Sequence, residues 1–199
     1  VTLDMNGFNI SGDDSVTTDY GVYVEGYNES TIKDGEIYDF GIGIFLNISE
    51  QNTITNITSG SHMGFPYHLA IGIHLYSSSN NNLTDITANE NECFTDSCDI
   101  KGVYLSSDSN NNNFKNIVAN SNDQYGIYLT SSSNNQLTNI TANSNNYDGI
   151  RLWSSSNNNT ITNINIWNCS TGGVSACIRV YESDSNIFEN VKINKSDNY

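Results

Sequence analysis

Aromatic and basic side chains recur at one position of a short repeated motif in this sequence. The motif begins with glycine, as in GIYL at 126–129, except in the last of its seven copies, where Cys177 replaces the glycine. The third positions hold Tyr23, Phe45, His74, Tyr104, Tyr128, Arg151 and Arg179. Two residues further on, three copies add Tyr76, Trp153 and Tyr181. Aromatic faces stack on sugar rings, and long exposed apolar stripes usually contact another molecule. We call these residues the outward column and expect it to bind polysaccharide or protein, unless the neighbouring loops cover it.

The outward column does not carry the acidic residues that hydrolysis requires. Cleavage of a glycosidic bond needs two carboxylates that face each other, and the adjoining outward positions supply only Glu25. Arg151 and Arg179 would stack on adjacent repeats, but no acidic residue accompanies them there. The other acids lie in predicted loops, where solvated carboxylates are the usual case: Asp13, Asp14, Glu90, Glu92, Asp96 and Asp99. We therefore predict no catalytic residues.

Three histidines, His62, His68 and His74, lie close together in the sequence and raise the question of a metal site. Their regular spacing of six residues matches no common pattern of metal ligands. Two of them also share a segment with Phe65 and Pro66, which favours a loop that packs on the strand. The sequence thus predicts neither a metal site nor a cofactor.

The outward column requires strands, because residues inside each motif alternate with a period of two. In GIYL the two apolar residues share one face while Tyr128 points away. The second half of the repeat, LTNI at 137–140, places its apolar residues three apart, so the chain must bend at Asn139. Each repeat is therefore predicted to form one rung of three short strands, and stacked rungs bury one continuous core.

Asparagine and aspartate at the bend are expected to stack as a ladder with hydrogen bonds between successive rungs. This ladder comprises Asp34, Asn56, Asp85, Asn116, Asn139, Asn163 and Asn190. Asn56 and Asn139 also begin N-x-[ST] glycosylation sequons, and we expect them to be buried in the ladder and to carry no glycan. The better candidates for glycosylation are Asn28, Asn82, Asn158, Asn168 and Asn194.

Three repeats are longer than the others, and their extra residues fall at one corner, at about 59–70, 88–100 and 165–176. Insertions at one corner lie along one edge of a solenoid and often mark its binding face. Two pairs of cysteines bracket insertions, which predicts the disulfides Cys93–Cys98 and Cys169–Cys177. Free thiols and bridges between chains are the alternatives.

Composition restricts the possible partners. The net charge of −15, with only seven Lys and Arg, argues against nucleic-acid binding and against anionic membranes, because both require a basic surface. No apolar run approaches the ~18 residues of a spanning helix, so we expect no membrane insertion. The first residue is Val1, which suggests a processed chain or a fragment, and residues 1–199 are expected to form a single domain. The paired cysteines and the sequons favour an extracellular compartment.

The repeats resemble those of NosD-type, pectin-lyase-like right-handed parallel β-helix proteins. The opening VTLDMNGFNISG resembles the first coil of such domains, and the GIYL…SSSNN…LTNIT consensus resembles repeats of methanogenic archaeal cell-surface proteins. The resemblance implies an all-β, single-stranded right-handed parallel β-helix, here of about seven to eight rungs. It leaves function open, because that fold carries lyases, hydrolases, binding modules and surface fibres.

The leading hypothesis from the sequence is an extracellular structural protein, a glycosylated subunit of a cell-surface layer, sheath or filament. Uncovered solenoid ends would favour self-association, end to end or lateral, unless capping segments are missing. The alternative hypothesis is a carbohydrate-binding or carbohydrate-processing module that uses the aromatic residues and arginines of the outward column.

Overall fold

The computed structural model describes residues 1–13, 19–64, 68–93, 97–168 and 175–194. These ranges contain no helix that could span a membrane. They form β-strands, numbered here in chain order, and every pairing between the strands is parallel. The prediction of an all-β parallel solenoid is thus confirmed. Sheet A contains β1 (Thr2–Asp4), β2 (Asn9–Ser11), β4 (Thr31–Tyr38), β6 (Thr53–Ser59), β9 (Asn82–Thr87), β12 (Asn113–Val118), β14 (Gln136–Thr141), β16 (Thr160–Trp167) and β18 (Ile187–Asn194).

Sheet B contains the strands that carry the glycine-led motif, and its seven strands define seven rungs. A third, two-stranded sheet pairs β7 (Met63–Gly64) with β10 (Glu92–Cys93), which lie in the insertions at about 59–70 and 88–100. The strands of sheet B are β3 (Tyr20–Glu25), β5 (Ile42–Asn47), β8 (Leu69–Tyr76), β11 (Asp99–Ser106), β13 (Tyr125–Thr130), β15 (Ile150–Trp153) and β17 (Ile178–Tyr181).

The bend predicted at Asn139 is present in each sheet A strand from β4 onward. Asn139 has φ of 59°, and the corresponding residues of the other rungs also lie in the left-handed region. Each of these strands is therefore two short extended segments joined at a corner, which together with the sheet B strand gives three per rung. The apolar residues flanking the corner, Leu137 and Ile140, are buried along with Ile127 and Leu129. They extend the single column of apolar side chains that forms the core.

The corner residues form a hydrogen-bonded ladder, but it lies on the surface. Asn139 donates from Nδ2 to Asn116 Oδ1 at 2.8 Å, and Asn163 donates to Asn139 Oδ1 at 3.0 Å. The expectation that Asn56 and Asn139 are buried is wrong, since both are exposed. The apolar residues on either side of each corner point inward, so the corner side chain between them projects into solvent.

A second asparagine ladder is buried, and the sequence analysis did not identify it. It consists of the residue just before each sheet A strand from β6 onward, in order Asn52, Asn81, Asn112, Asn135, Asn159 and Asn186. From Asn81 onward, each Oδ1 accepts both the backbone N–H and the side-chain N–H of the equivalent asparagine on the preceding rung, while Asn52 Oδ1 accepts the Ser30 N–H. A shorter buried ladder of the same kind joins three asparagines after the sheet A strands, Asn91, Asn122 and Asn145.

The Cys93–Cys98 disulfide is present and ties the insertion before β11. Gln124 holds the same segment, because its side chain donates to Cys98 O at 2.7 Å and accepts from Ile100 N at 3.1 Å. The predicted Cys169–Cys177 bridge involves Cys169, which lies outside the described residues. The predicted glycosylation positions Asn28, Asn82, Asn158, Asn168 and Asn194 are all exposed, and their occupancy stays a prediction.

Candidate functional site

The outward column forms in the predicted order along sheet B. Tyr23 pairs with Phe45, Phe45 with His74, and His74 with Tyr104, each on the neighbouring strand. The column continues through Tyr128, Arg151 and Arg179 on the last three strands. Two residues further along the same strands, Tyr76 and Tyr181 are exposed. Trp153 stacks on Tyr181 with ring centroids 4.1 Å apart.

The rings of the column cover one another. Phe45 lies 4.9 Å from His74, and His74 lies 4.5 Å from Tyr104, with interplanar angles near 20° (19° and 21°). Tyr23 stacks on Phe45 in the same way at 5.4 Å. Because strands are only ~4.8 Å apart, aromatic residues on successive rungs meet face to face. The faces of Phe45 and His74 are therefore not open to a sugar ring.

The column changes character over the last four rungs, where charged groups lie among the rings. Lys101 Nζ is 4.3 Å from the Tyr104 ring centroid and 5.4 Å from that of Tyr128. Arg151 Cζ lies 4.9 Å from the Tyr125 ring, 5.2 Å from the Tyr128 ring and 4.1 Å from the Trp153 ring. Contacts at these distances are cation–π interactions, which hold the cations against the sheet. We define the cation–tyrosine cluster as Lys101, Tyr125, Tyr128, Asp148, Arg151 and Arg179.

Two carboxylates partly neutralise the three cations of this cluster. Asp148 has a buried side chain, accepts from Arg179 Nε at 2.9 Å, and lies 3.7 Å from Arg151 Nη1. Its other oxygen accepts the Ala176 N–H at 2.7 Å. Asp99 pairs with Lys101, whose side chain is only 1% exposed. The face therefore retains an excess of one positive charge in a protein of net charge −15.

Burial also controls the protonation of the cluster. It lowers the pKa of Lys101, and the Arg151 charge adds to that effect while Asp99 opposes it. Burial raises the pKa of Tyr104 to about 12 and raises those of Tyr125 and Tyr128. The phenols therefore stay protonated at neutral pH and remain hydrogen-bond donors.

Two of the three histidines are buried and neutral. Burial lowers the pKa of both His62 and His74 to about 3. His62 Nδ1 accepts the Phe40 N–H at 3.2 Å, so Nε2 carries the proton and donates to Ser59 Oγ at 3.0 Å. His74 Nε2 shares a hydrogen bond of 2.9 Å with Ser106 Oγ while its ring lies inside the aromatic stack.

Sequence reasoning missed Lys101, Tyr125 and Asp148, half of the cation–tyrosine cluster. All three directly precede a glycine that opens a repeat motif, at Gly102, Gly126 and Gly149. The period-two alternation is clear only in the residues after each glycine, so it does not point to the residue before it. The available signal was a lysine, a tyrosine and an aspartate at one repeat position, immediately before the motif.

A sequence model of one protein family, described as periplasmic copper-binding protein (NosD), matches residues 5–199. Among solved structures, a variant of the periplasmic alginate epimerase AlgG has a TM-score of 0.64 at 17% identity, covering 87% of this chain and 47% of that one. A second AlgG variant has a TM-score of 0.60 at 16% identity, covering 88% and 47%. DFA-IIIase from Arthrobacter chlorophenolicus A6 has a TM-score of 0.51 at 13% identity, covering 85% and 50%.

The chain thus spans about half the length of these structures, 47% of each AlgG variant. No sequence of a curated protein shows significant similarity to it. At identities of 13–17% the structural likeness shows the fold and nothing finer.

Proposed function

The chain belongs to the NosD family, and from that premise we propose that it is a carbohydrate-binding β-helix whose ligand contacts the cation–tyrosine cluster. One observation carries the proposal. Three of the seven Lys and Arg in a strongly acidic chain, Lys101, Arg151 and Arg179, converge with tyrosines on one face. The class of ligand that suits such a face is a sugar chain that carries carboxylates.

The chemistry of the cluster supports an acidic sugar. A guanidinium presents five N–H donors in a planar fork that matches a carboxylate. The described hydrogen bonds of Arg179 use one of these donors, and its side chain is 28% exposed. The tyrosine hydroxyls, whose pKa burial raises further above neutral pH, can donate to sugar oxygens. The similarity to an alginate epimerase adds support, because that protein processes a carbohydrate on the same fold.

The family description names copper, and the residues described here do not fit that ion. Among them, no group of three or more His, Cys, Asp or Glu side chains could hold a metal. Both ring nitrogens of His62 are engaged in hydrogen bonds, and His74 lies between two aromatic rings. Cys93 and Cys98 are joined in a disulfide and are not thiolate ligands. The proposal therefore assigns no part to copper.

We also propose an extracytoplasmic location. The disulfide favours an oxidising compartment, and both the family description and the AlgG structures refer to periplasmic proteins. Display at the cell surface would be a more specific form of the same proposal.

The test is a calorimetric titration with short oligomers of a uronic acid, compared with neutral oligomers of the same length. Arg179→Gln should weaken uronate binding about tenfold, the effect of losing a hydrogen bond between charged groups. Lys115→Gln is the matched control, because it removes one exposed positive charge from sheet A instead. Binding by the unaltered protein should also weaken as salt is added. Absence of uronate binding, or an equal loss in both variants, would contradict the proposal.

A second candidate function, self-association into a layer or filament, is favoured by the surface of the last rung. Val180, Ile187, Val191 and Ile193 are 41–49% exposed there, an apolar edge that further rungs of a longer chain or a second copy of the chain could cover. Sedimentation velocity over a range of concentrations tests this idea. Val191→Glu should abolish any concentration-dependent association, whereas Lys192→Glu on the neighbouring outward position should not.

A further inference from the structure

A separate groove of about 550 Å³ lies at the corner where the early sheet A strands end. It crosses three rungs and begins at the base of the two insertions that precede β8 and β11. Tyr38 and Asp39 form one side, and Asn89 and Glu90 form the other. Gly60 and Ser61 occupy the rung between them, as the strand register and the Ser61 N to Asn89 O hydrogen bond of 3.0 Å establish.

The groove exists because the middle rung has small residues where its neighbours have larger ones. Gly60 stands at the position that Tyr38 and Asn89 occupy on the adjacent rungs. A Cβ atom at Gly60 would lie 2.3 Å from the carbonyl oxygen of Asn89, so this backbone approach requires glycine. The gap is thus fixed by the backbone and does not depend on a side-chain rotamer.

The lining combines an aromatic wall with hydrogen-bonding groups. Burial and the adjacent Glu36 raise the pKa of Tyr38 to about 12, so its phenol stays neutral. Asp39 is held in place by Ser11, whose hydroxyl donates to Oδ2 at 2.8 Å. Asp39 and Glu90 are two rungs apart, roughly 10 Å along the axis at ~4.8 Å for each rung. Thr58 of β6 and Thr87 of β9 complete the lining.

We propose that this groove binds one or two units of a neutral sugar chain, at a site separate from the cation–tyrosine cluster. Its volume lies within the usual range of ligand pockets, roughly 300–1,000 Å³. The two carboxylates accept hydrogen bonds from sugar hydroxyls, and the Tyr38 ring offers an apolar wall. No Lys or Arg lies among the described lining residues, so the carboxylates of Asp39 and Glu90 would repel an acidic sugar. The cluster would then select an acidic sugar and the groove a neutral one.

The experiment is saturation-transfer NMR followed by calorimetry, with short neutral oligomers of glucose, mannose, galactose and xylose as probes. Ser61→Tyr should fill the groove and abolish binding. Ser144→Tyr is the matched control, because Ser144 occupies the same corner three rungs away with nearly the same φ, 55° against 52°. Asp39→Asn preserves shape and should weaken binding about tenfold, as expected when a hydrogen bond loses its charged acceptor.

The outcomes separate this groove from the proposed function of the cation–tyrosine cluster. The proposal is overturned if no neutral oligomer binds, or if Ser144→Tyr weakens binding as much as Ser61→Tyr. It is also overturned if Arg179→Gln removes neutral-sugar binding while Ser61→Tyr leaves it intact, since the sugar would then lie on sheet B. Loss of neutral-sugar binding in Ser61→Tyr, with uronate binding retained, is the expected result.

Discussion

Removing one amide from the buried asparagine ladder should destabilise the protein far more than removing one from the exposed ladder of the same rung. The Asn135 side chain makes four hydrogen bonds. Its Oδ1 accepts the backbone N–H of Asn112 at 2.8 Å and that residue's Nδ2 at 3.1 Å. Its Nδ2 donates to Ser109 O and to Asn159 Oδ1, both at 3.1 Å. All of these partners lose a bond in Asn135→Ala.

The magnitude follows from burial. Each intramolecular hydrogen bond contributes a net ~1 kcal/mol, so four give about 4 kcal/mol. Water cannot replace the lost bonds, because Asn135 is fully buried. Asn139→Gly is the comparison, since it removes two exposed hydrogen bonds from the next ladder without straining φ of 59°. Water can replace those bonds, so we expect a loss of about 1 kcal/mol, much of it from the added flexibility of the unfolded chain.

Urea denaturation followed by circular dichroism measures the two free energies of unfolding. Because rungs of a solenoid can unfold in parts, hydrogen exchange of the Asn112 backbone amide provides a local measure. That amide should exchange faster in Asn135→Ala and be unaffected in Asn139→Gly. Equal destabilisation by the two variants would refute the reasoning, because it would mean that burial does not set the value of these bonds.

Two further predictions concern the interior near sheet B. Gly43→Ala should lower the free energy of unfolding by about 3 kcal/mol in urea denaturation, because its Cβ would lie 1.8 Å from Ser59 Oγ; Gly26→Ala, whose Cβ meets nothing within 4 Å, should lose only about 1 kcal/mol through its positive φ. Stability should also fall as the pH drops from 6.5 toward about 3, because His62 and His74 titrate near 6.5 when unfolded but near 3 when folded, so the unfolded chain binds the extra protons. Just below pH 6.5, the free energy of unfolding measured in urea should fall by up to ~1.4 kcal/mol per pH unit for each histidine. This slope should decrease in His62→Gln, and an unchanged slope would contradict the assignment.

The repeat made most of the fold predictable from sequence. A period of two with a three-residue offset at Asn139 predicted three strands per rung, and aligning the motif glycines predicted which outward residues become neighbours. Both inferences use only chain geometry, which the sequence encodes directly. The buried ladder was not predicted, because Asn135 lies in a run of Ser and Asn that has the composition of a loop. Its burial depends on stacking against the same residue of other rungs.

The state of the outward column was less predictable for a related reason. Alternation shows that Tyr104 points away from the core, but it does not show what covers the ring. The covering group is the residue one rung away, His74, at a spacing that suits ring stacking. An outward orientation therefore does not imply an exposed side chain wherever aromatic residues occupy successive rungs. The edges and hydroxyl groups of such a stack are its accessible chemistry.

Function in this chain is best sought where a residue departs from the repeat. Asparagine, serine and threonine recur on every rung because they bond one rung to the next, so their abundance reports on the solenoid alone. Lys101 and Asp148 have no counterpart of the same type on the other rungs, yet both are buried and charged. Burial of a charge is unfavourable unless it is paired, and here Lys101 is paired with Asp99 and Asp148 with Arg179. Gly60 is a similar departure, since a side chain there would close the groove beside Tyr38. The two proposed sugar sites thus coincide with positions at which a residue departs from the repeat.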